Sequence, residues 1–244
     1  MPTILYRDHR LVAVHKPANL LVHRSMLDRH ETRFAVQLVR DMTGRRVYPA
    51  HRLDRATSGL LVFAFDSEAA ASLSTAFANG HITKRYLAIV RGHTDTSGLI
   101  DHPIRRRDDE VGSTKANEPL QNAITHFRRL ATTELPIAVD RYPSSRYSLL
   151  ELAPETGRRH QLRRHLKHIS HPIIGDTTWG KGKHNRMFAE HFGVRRLFLA
   201  CTRLRIPHPD DQRLLTLDCP LETDFMRVIT ALGWQHALSD APDS

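Results

Sequence analysis

Residues 59–65 read GLLVFAF, the most apolar segment of the chain and a continuous run of strand length. It is far shorter than the roughly 18 residues needed to cross a bilayer, so it is read as a strand and not as a membrane span. Directly before it stands a polar knot, His51-Arg52-Leu53-Asp54-Arg55-Ala56-Thr57-Ser58. A charged loop is thus tied to the rim of a rigid apolar strand. Its single carboxylate, Asp54, sits among His51, Arg52 and Arg55, and cationic neighbours favour the ionised carboxylate. Such an aspartate suits a nucleophile or an electrostatic base. The same pattern also describes a loop aspartate neutralised by surface arginines, and spacing alone does not separate the two.

Hydrophobic periodicity predicts further strands over residues 4–8, 11–15, 85–90, 123–131, 146–152, 197–206 and 213–217. Helices are predicted over 31–42, over 68–79 with Ser67 as cap, over 158–169, and in a last helix capped by Asp218 with Pro220 in its first turn. Residues 93–122 are polar and broken, which predicts a long excursion with little regular structure. Strands and helices do not alternate regularly and several strand pairs are joined by short turns. This favours an α+β fold with a largely antiparallel sheet over a doubly wound parallel one. A chain of 244 residues supports one large domain or two small ones sharing a cleft. The N-terminus has no secretory-signal pattern, and Cys201 and Cys219 form no CxxC. They are expected to be reduced and partly buried, which makes the expected location cytoplasmic.

Charge narrows the partner. Arginine outnumbers lysine 30 to 6 in a chain of net charge +10, and arginine is the residue for planar phosphate contact. Residues 155–205 hold twelve Lys/Arg against three acids, whereas the chain from Asp210 onward carries a net −5. A patch of this kind points to nucleic acid.

The patch contains a second candidate site, ETGRRHQLRR at 155–164, where Pro154 and Gly157 predict a turn into a basic helix. Backbone N–H groups, the helix dipole and Arg158, Arg159 and His160 would all favour an anion there. Leu162, Leu166 and Ile169 form the buried stripe, which leaves Arg163, about 100° away, free to lean across a cleft. Composition alone reads this equally as a solvated basic face. His160, His165, His168 and His171 lack a carboxylate or cysteine to complete a metal set, so no metal is expected. No GxGxxG after a strand, no phosphate-binding GxxxxGK[ST] and no GxSxG occurs, which removes the main support for nucleotide cofactors and acyl transfer.

HRLDRATSGLL at 51–61 resembles the HRLDxxTSGLLL signature of the RluA family of pseudouridine synthases. Residues 84–92 resemble its KxYxAxVxG segment, 152–163 its LxPxTGRxHQLR, and 171–180 its HPIxGDxxYG. Lys16-Pro17 through Val22-His23 resembles its opening KPxGxxVH. Among RluA-type sequences, residues 23–29, 141–152 and 189–197 are most similar to the tRNA pseudouridine-65 synthases.

The resemblance implies the pseudouridine synthase catalytic fold: a long, mostly antiparallel mixed sheet flanked by helices, with a central active-site cleft. It implies a single catalytic domain over residues 1–236 in two sub-lobes, no S4-type RNA-binding domain, and a disordered tail over 237–244. It implies a cofactor-free isomerisation of a uridine within RNA, here a tRNA, with the target base flipped out and the enzyme acting as a monomer without an obligatory protein partner. Asp54 matches the family's catalytic aspartate, Arg163 its ion-pair partner and Tyr86 the aromatic residue that packs on the base. His51, Arg52, Arg55, Arg158, Arg159 and His160 are the expected RNA-binding residues. Asp54 could attack C1′, attack the uracil ring or assist removal of a sugar proton.

Two departures stand out. Asn19 replaces the Gly of KPxG, and Asn tolerates a left-handed turn next best. Ala200 stands where the family's LHA carries His. The alternatives are an rRNA-directed synthase, or an RNA-binding module on the same scaffold without chemistry. A glycosidase acting through Asp54 would need a second carboxylate, which none of these segments supplies.

Overall fold

A computed structural model of the chain describes residues 1–23, 31–105 and 119–239. The apolar run becomes β4 (Ser58–Ala64), every residue of which is buried. It pairs antiparallel with β2 (Leu11–Lys16), which leads to the edge strand β1 (Thr3–Arg7), and parallel with β11 (Leu199–Pro207). From β11 the sheet continues antiparallel through β5 (Thr83–Arg91), β10 (Ser145–Pro154), β9 (Ile124–Leu135) and β6 (Ser97–Asp101). Two short additions, β3 (Tyr48–Pro49) on β4 and β12 (Leu214–Asp218) on β11, complete the ten strands of this sheet among the described residues. The expected α+β, mostly antiparallel mixed sheet is the observed one.

One cross-strand row explains how the site is assembled. Gly59 on β4 faces Cys201 on β11, which faces Tyr86 on β5, which faces Leu152 on β10. The loop before β4, the middle of β5 and the turn after β10 therefore lie at one level of the sheet. Gly59 is required there: its φ is +110°, and a Cβ would stand 2.1 Å from the carbonyl oxygen of Cys201.

Helices cover the two faces. α1 (Ala35–Thr43) and α2 (Ser67–Ala78) pack on the β1, β2 and β4 side, where Val39, Leu73, Leu61 and Phe63 are fully buried. α3 (Gln161–His168) lays Leu162 and Leu166 on Leu150 and Leu152 of β10. α4 (Gly182–Phe192) and α5 (Thr223–Ala231) enclose a separate cluster around Phe188, Phe198 and Phe225. Among the described residues no helix is long and apolar enough to cross a membrane.

Several boundaries differ from those expected, each for a local reason. Asp66, not Ser67, caps α2, because its carboxylate accepts the Ala69 N–H at 2.8 Å. Asp218 does not cap the last helix: it ends β12, with its carboxylate on Arg203 Nε at 2.5 Å, and α5 starts at Thr223. Residues 158–160 are not helical, since His160 adopts φ 54° and forms the N-cap of α3. The excursion over 93–122 is more regular than expected where described, with β6, β7 (Ile104–Arg105) and β8 (Leu120–Gln121); 106–118 lie outside the described residues. Residues 237–239 are helical, in α6 (His236–Ser239), while 24–30 and 240–244 lie outside the described residues. Asn19 does take the left-handed turn, at φ 64°.

Candidate active site

The polar knot before β4 is held from two sides by buried cations. The loop closes on itself through Thr57 N–H to Asp54 O at 3.1 Å. On one side Lys16, with no exposed surface, donates its ammonium to the carbonyls of Pro17, Leu20 and Arg55 at 2.9–3.1 Å. On the other, Arg196 Nη2 donates to Ser58 Oγ at 2.6 Å, while its Nη1 reaches Glu222 and Asp224, each at 2.6 Å. Asp54 is carried between these two anchors.

Burial pulls the Lys16 pKa from the usual lysine value down to about 7, against the opposing pull of Glu222 and Asp54. The folded protein then holds this proton less tightly than the unfolded chain between about pH 7 and 10.5, so unfolding takes up a proton and the fold gains stability as pH rises through that window. Comparing urea midpoints of the wild type and Lys16→Met at pH 7 and pH 9 isolates this contribution. The wild type should gain more stability over that interval than the variant. Parallel profiles would contradict the assignment.

The turn from β10 into α3 forms the opposite wall. Gln161 uses its whole amide there: Oε1 accepts from Thr156 Oγ1 and the Arg158 N–H, and Nε2 donates to Ile124 O and Thr125 Oγ1. Lys84 on β5 donates to Glu155 O at 3.0 Å. This bracing presents Arg163, from the first turn of α3, to the cleft.

Arg163 is shared by two carboxylates. Its Nε and Nη2 form a bidentate fork on Asp176 at 2.7 and 2.8 Å, and its remaining Nη1 lies 3.4 Å from Asp54 Oδ2. Asp176 is 1% exposed in its side chain and Asp54 25%. Burial alone would raise the Asp176 carboxyl, but the Arg163 fork and the N–H groups of Trp179 and Thr178 outweigh it and hold the group below the usual range. Burial likewise opposes the charge on Arg163, yet the two carboxylates raise its pKa. The resemblance implies Asp54 as the partner of Arg163; the carboxylate that fixes the geometry of Arg163 is Asp176, and Asp54 is the more accessible of the two.

His160 completes this side. Trp179 Nε1–H donates to His160 Nδ1 at 3.2 Å, so the proton of the neutral ring sits on Nε2, which lies 3.8 Å from Asp54 Oδ2. Burial holds this imidazole below its usual pKa, against the pull of Asp54. Tyr86 lines the cleft, beside Cys201 on the neighbouring strand. Burial and the neighbouring Cys201 thiol raise its pKa well above the usual phenol value, so it stays neutral.

The cleft bounded by these residues measures about 110 Å³, and Asp54 is its one carboxylate among the described lining residues. Arg52 and Arg158 are exposed and stand at its edge. Arg55 and Arg159 are exposed too but do not line it: Arg55 pairs with Glu31. His51 points the other way. Its ring stacks on Phe77 at 4.6 Å and its Nε2 accepts the Val62 N–H, and burial lowers its pKa to about 4. It braces α2 against β4 and is not offered to a ligand. Asp176, Lys16, Gln161, Trp179 and Arg196 were not picked out from sequence; HPIIGD at 171–176, which sets an acid after an apolar run, was the available signal for Asp176. Among the described residues no group of three His, Cys, Asp or Glu side chains is placed to hold a metal.

Residues 10–168, which carry the Asp54 loop, Tyr86 and Arg163, match the RNA pseudouridylate synthase family. The chain belongs to that family. It is 47% identical over 98% of its length to tRNA pseudouridine synthase C of Vibrio cholerae, covering 98% of that protein. It is 48% identical to the protein of the same name from Salmonella typhi, covering 98% of this chain and 93% of that one. Among solved structures it is similar to human RNA pseudouridylate synthase domain containing 4, with TM-score 0.71 and 25% identity over 94% of this chain and 92% of that one. As an RNA pseudouridylate synthase, the protein breaks the N1–C1′ bond of a uridine and joins C5 to C1′. Ala200, at the position where the family's LHA motif has His, is buried on β11 opposite Ser58 and Leu87, so the sheet closes over it without a polar side chain.

Proposed function

We propose that this synthase acts on one uridine of a tRNA, with Asp54 as the reacting carboxylate, Arg163 as the cation that orients it and Tyr86 packed against the base. The observation that carries the reading is the arrangement of Asp54. A partly exposed carboxylate, the one among the described lining residues, faces a narrow cleft and is held 3.4 Å from a guanidinium that a second carboxylate immobilises. The near full-length similarity to proteins named tRNA pseudouridine synthase C supports tRNA over rRNA.

The cleft is well below the roughly 300–1,000 Å³ of pockets that enclose a whole ligand. It suits a flat base, with ribose and phosphates left at the rim beside Arg52 and Arg158. A uridine in a stem must be flipped out to enter, at a cost of a few kcal/mol, which phosphate contacts offset. When C5 bonds to C1′ the C5 proton leaves and N1 gains one, so the reaction is balanced without an external reactant. The reading is of a monomer acting in the cytoplasm, where its substrate is found.

Mapping pseudouridine at nucleotide resolution in tRNA and rRNA from cells with and without the protein tests this. Loss at one tRNA position is expected; loss confined to rRNA, or no loss, would overturn it. Phosphate contacts also predict a steep salt titration, with log K for tRNA falling by about 0.7–0.9 for each unit of log salt concentration per phosphate neutralised. A flat titration would contradict the basic rim.

A further inference from the structure

The largest cavity touching the catalytic loop is not the cleft that holds Asp54. A second cavity of about 390 Å³ lies against two segments that position the residues of that cleft. One is the loop itself: Ala56 lines the cavity, and the two residues from Asp54 span at most about 7 Å. The other is the segment around Asp176: Gly175 and Thr177 line the cavity while Asp176 grips Arg163. Asn185 of α4 ties this wall in place, accepting the Gly175 N–H at 2.7 Å and donating to Asp176 O at 2.9 Å.

The lining has the character of a base site. Its floor is apolar, from Ile174, Phe188, Val194 and Phe198, all 4% exposed or less. Its mouth carries the amide of Asn19 and the hydroxyl of Thr177, both exposed. Beside them stand Arg186 and Arg195, both exposed and with no salt bridge or hydrogen bond among the described residues. Other exposed arginines are engaged, as Arg55 is by Glu31 and Arg146 by Glu134. Two guanidinium forks with no partner among the described residues, at the mouth of an apolar cavity, are complementary to a phosphate-linked aromatic ring.

We propose that this cavity receives the base of a nucleotide flanking the target uridine, with Arg186 and Arg195 on the adjoining phosphates. The proposal rests on the reading of the protein as an RNA-modifying enzyme and deepens it. The cavity reads a neighbour while the cleft holds the uridine, so RNA selectivity arises partly outside the reacting site.

The test combines protein and RNA changes. Arg186→Gln/Arg195→Gln, both on the surface, should lower kcat/KM on the tRNA substrate about tenfold, chiefly through KM. Ala189→Trp, which fills the cavity from α4, should weaken RNA binding about tenfold. Abasic replacement of each of the three nucleotides on either side of the target should reveal one position that costs the wild type about tenfold in binding. That position should cost Ala189→Trp nothing further. If both variants bind and turn over intact RNA as the wild type does, or if every abasic replacement costs the wild type and Ala189→Trp equally, the proposal is overturned. A wild-type protein that binds tRNA with the abasic signature but forms no pseudouridine would refute the assigned tRNA chemistry and leave the cavity supported, so the two failures are distinguishable.

Discussion

Asp54→Asn is expected to bind tRNA within about threefold of the wild type and to form pseudouridine at least ~10⁴-fold more slowly, in keeping with the loss of a reacting group. Both halves follow from the cleft. Asn has nearly the same volume and can still accept from Arg163 Nη1, and the anchors of the loop are Lys16, Arg196 and a backbone turn, none of which involves the carboxylate. The fold should therefore survive, with a thermal midpoint within a few degrees of the wild type. Binding should survive because the substituted group is the one carboxylate among the described residues that line the cleft, and its loss removes repulsion toward phosphate. Chemistry should not, because an amide neither attacks carbon nor takes up a proton at neutral pH. Turnover above one per cent of wild type in a well-folded Asp54→Asn protein would contradict the assignment.

Arg163→Met should cost ~3–5 kcal/mol of stability, the range for breaking a buried ion pair by removing one partner. For a chain of this size that corresponds to a fall of about 10 °C in thermal midpoint. The loss arises at Asp176 more than at Asp54: Asp176 is 1% exposed and would keep only two backbone N–H donors, whereas Asp54 can turn to solvent. The double variant Arg163→Met/Asp176→Leu should therefore cost less than the sum of the two single changes, since it buries no unpaired charge. It should remain inactive, because the cation facing Asp54 is gone. A drop below ~1 kcal/mol in the single variant, or additive costs in the double, would show that the fork carries little.

The Asp54 loop is legible in the sequence because two strong signals coincide there. The apolar run is β4, all buried, and the polar knot before it can only lie at the end of that strand. Arg163 was legible for a similar reason: Leu162 and Leu166 fix the buried stripe of α3, and Arg163 falls beside it at the cleft. The orientation of His51 is not legible, because a cluster of polar residues says nothing about which way each side chain points. In the extended loop before β4 it turns toward Phe77 while Arg52 faces solvent.

Arg196 and Arg203 were counted in the basic patch, yet they are satisfied by Glu222, Asp224 and Asp218 from the acidic end of the chain. Such pairings are set by β12 and α5 folding back on β11 and leave no local trace. α4 escaped notice because its buried face is short, His184, Met187 and Phe188, and no side chain caps its start. That helix also forms a wall of the second cavity, so the feature least visible in the sequence is the one that extends the site.

The release of tritium from tRNA labelled at uridine C5 tests the central claim most directly, because the C5 hydrogen is lost only when C5 is joined to C1′. The wild-type protein is expected to release one equivalent per tRNA and to stop, with Asp54→Asn releasing none over the same period. Release of several equivalents, release from rRNA but not tRNA, or equal release by the two proteins would contradict the account.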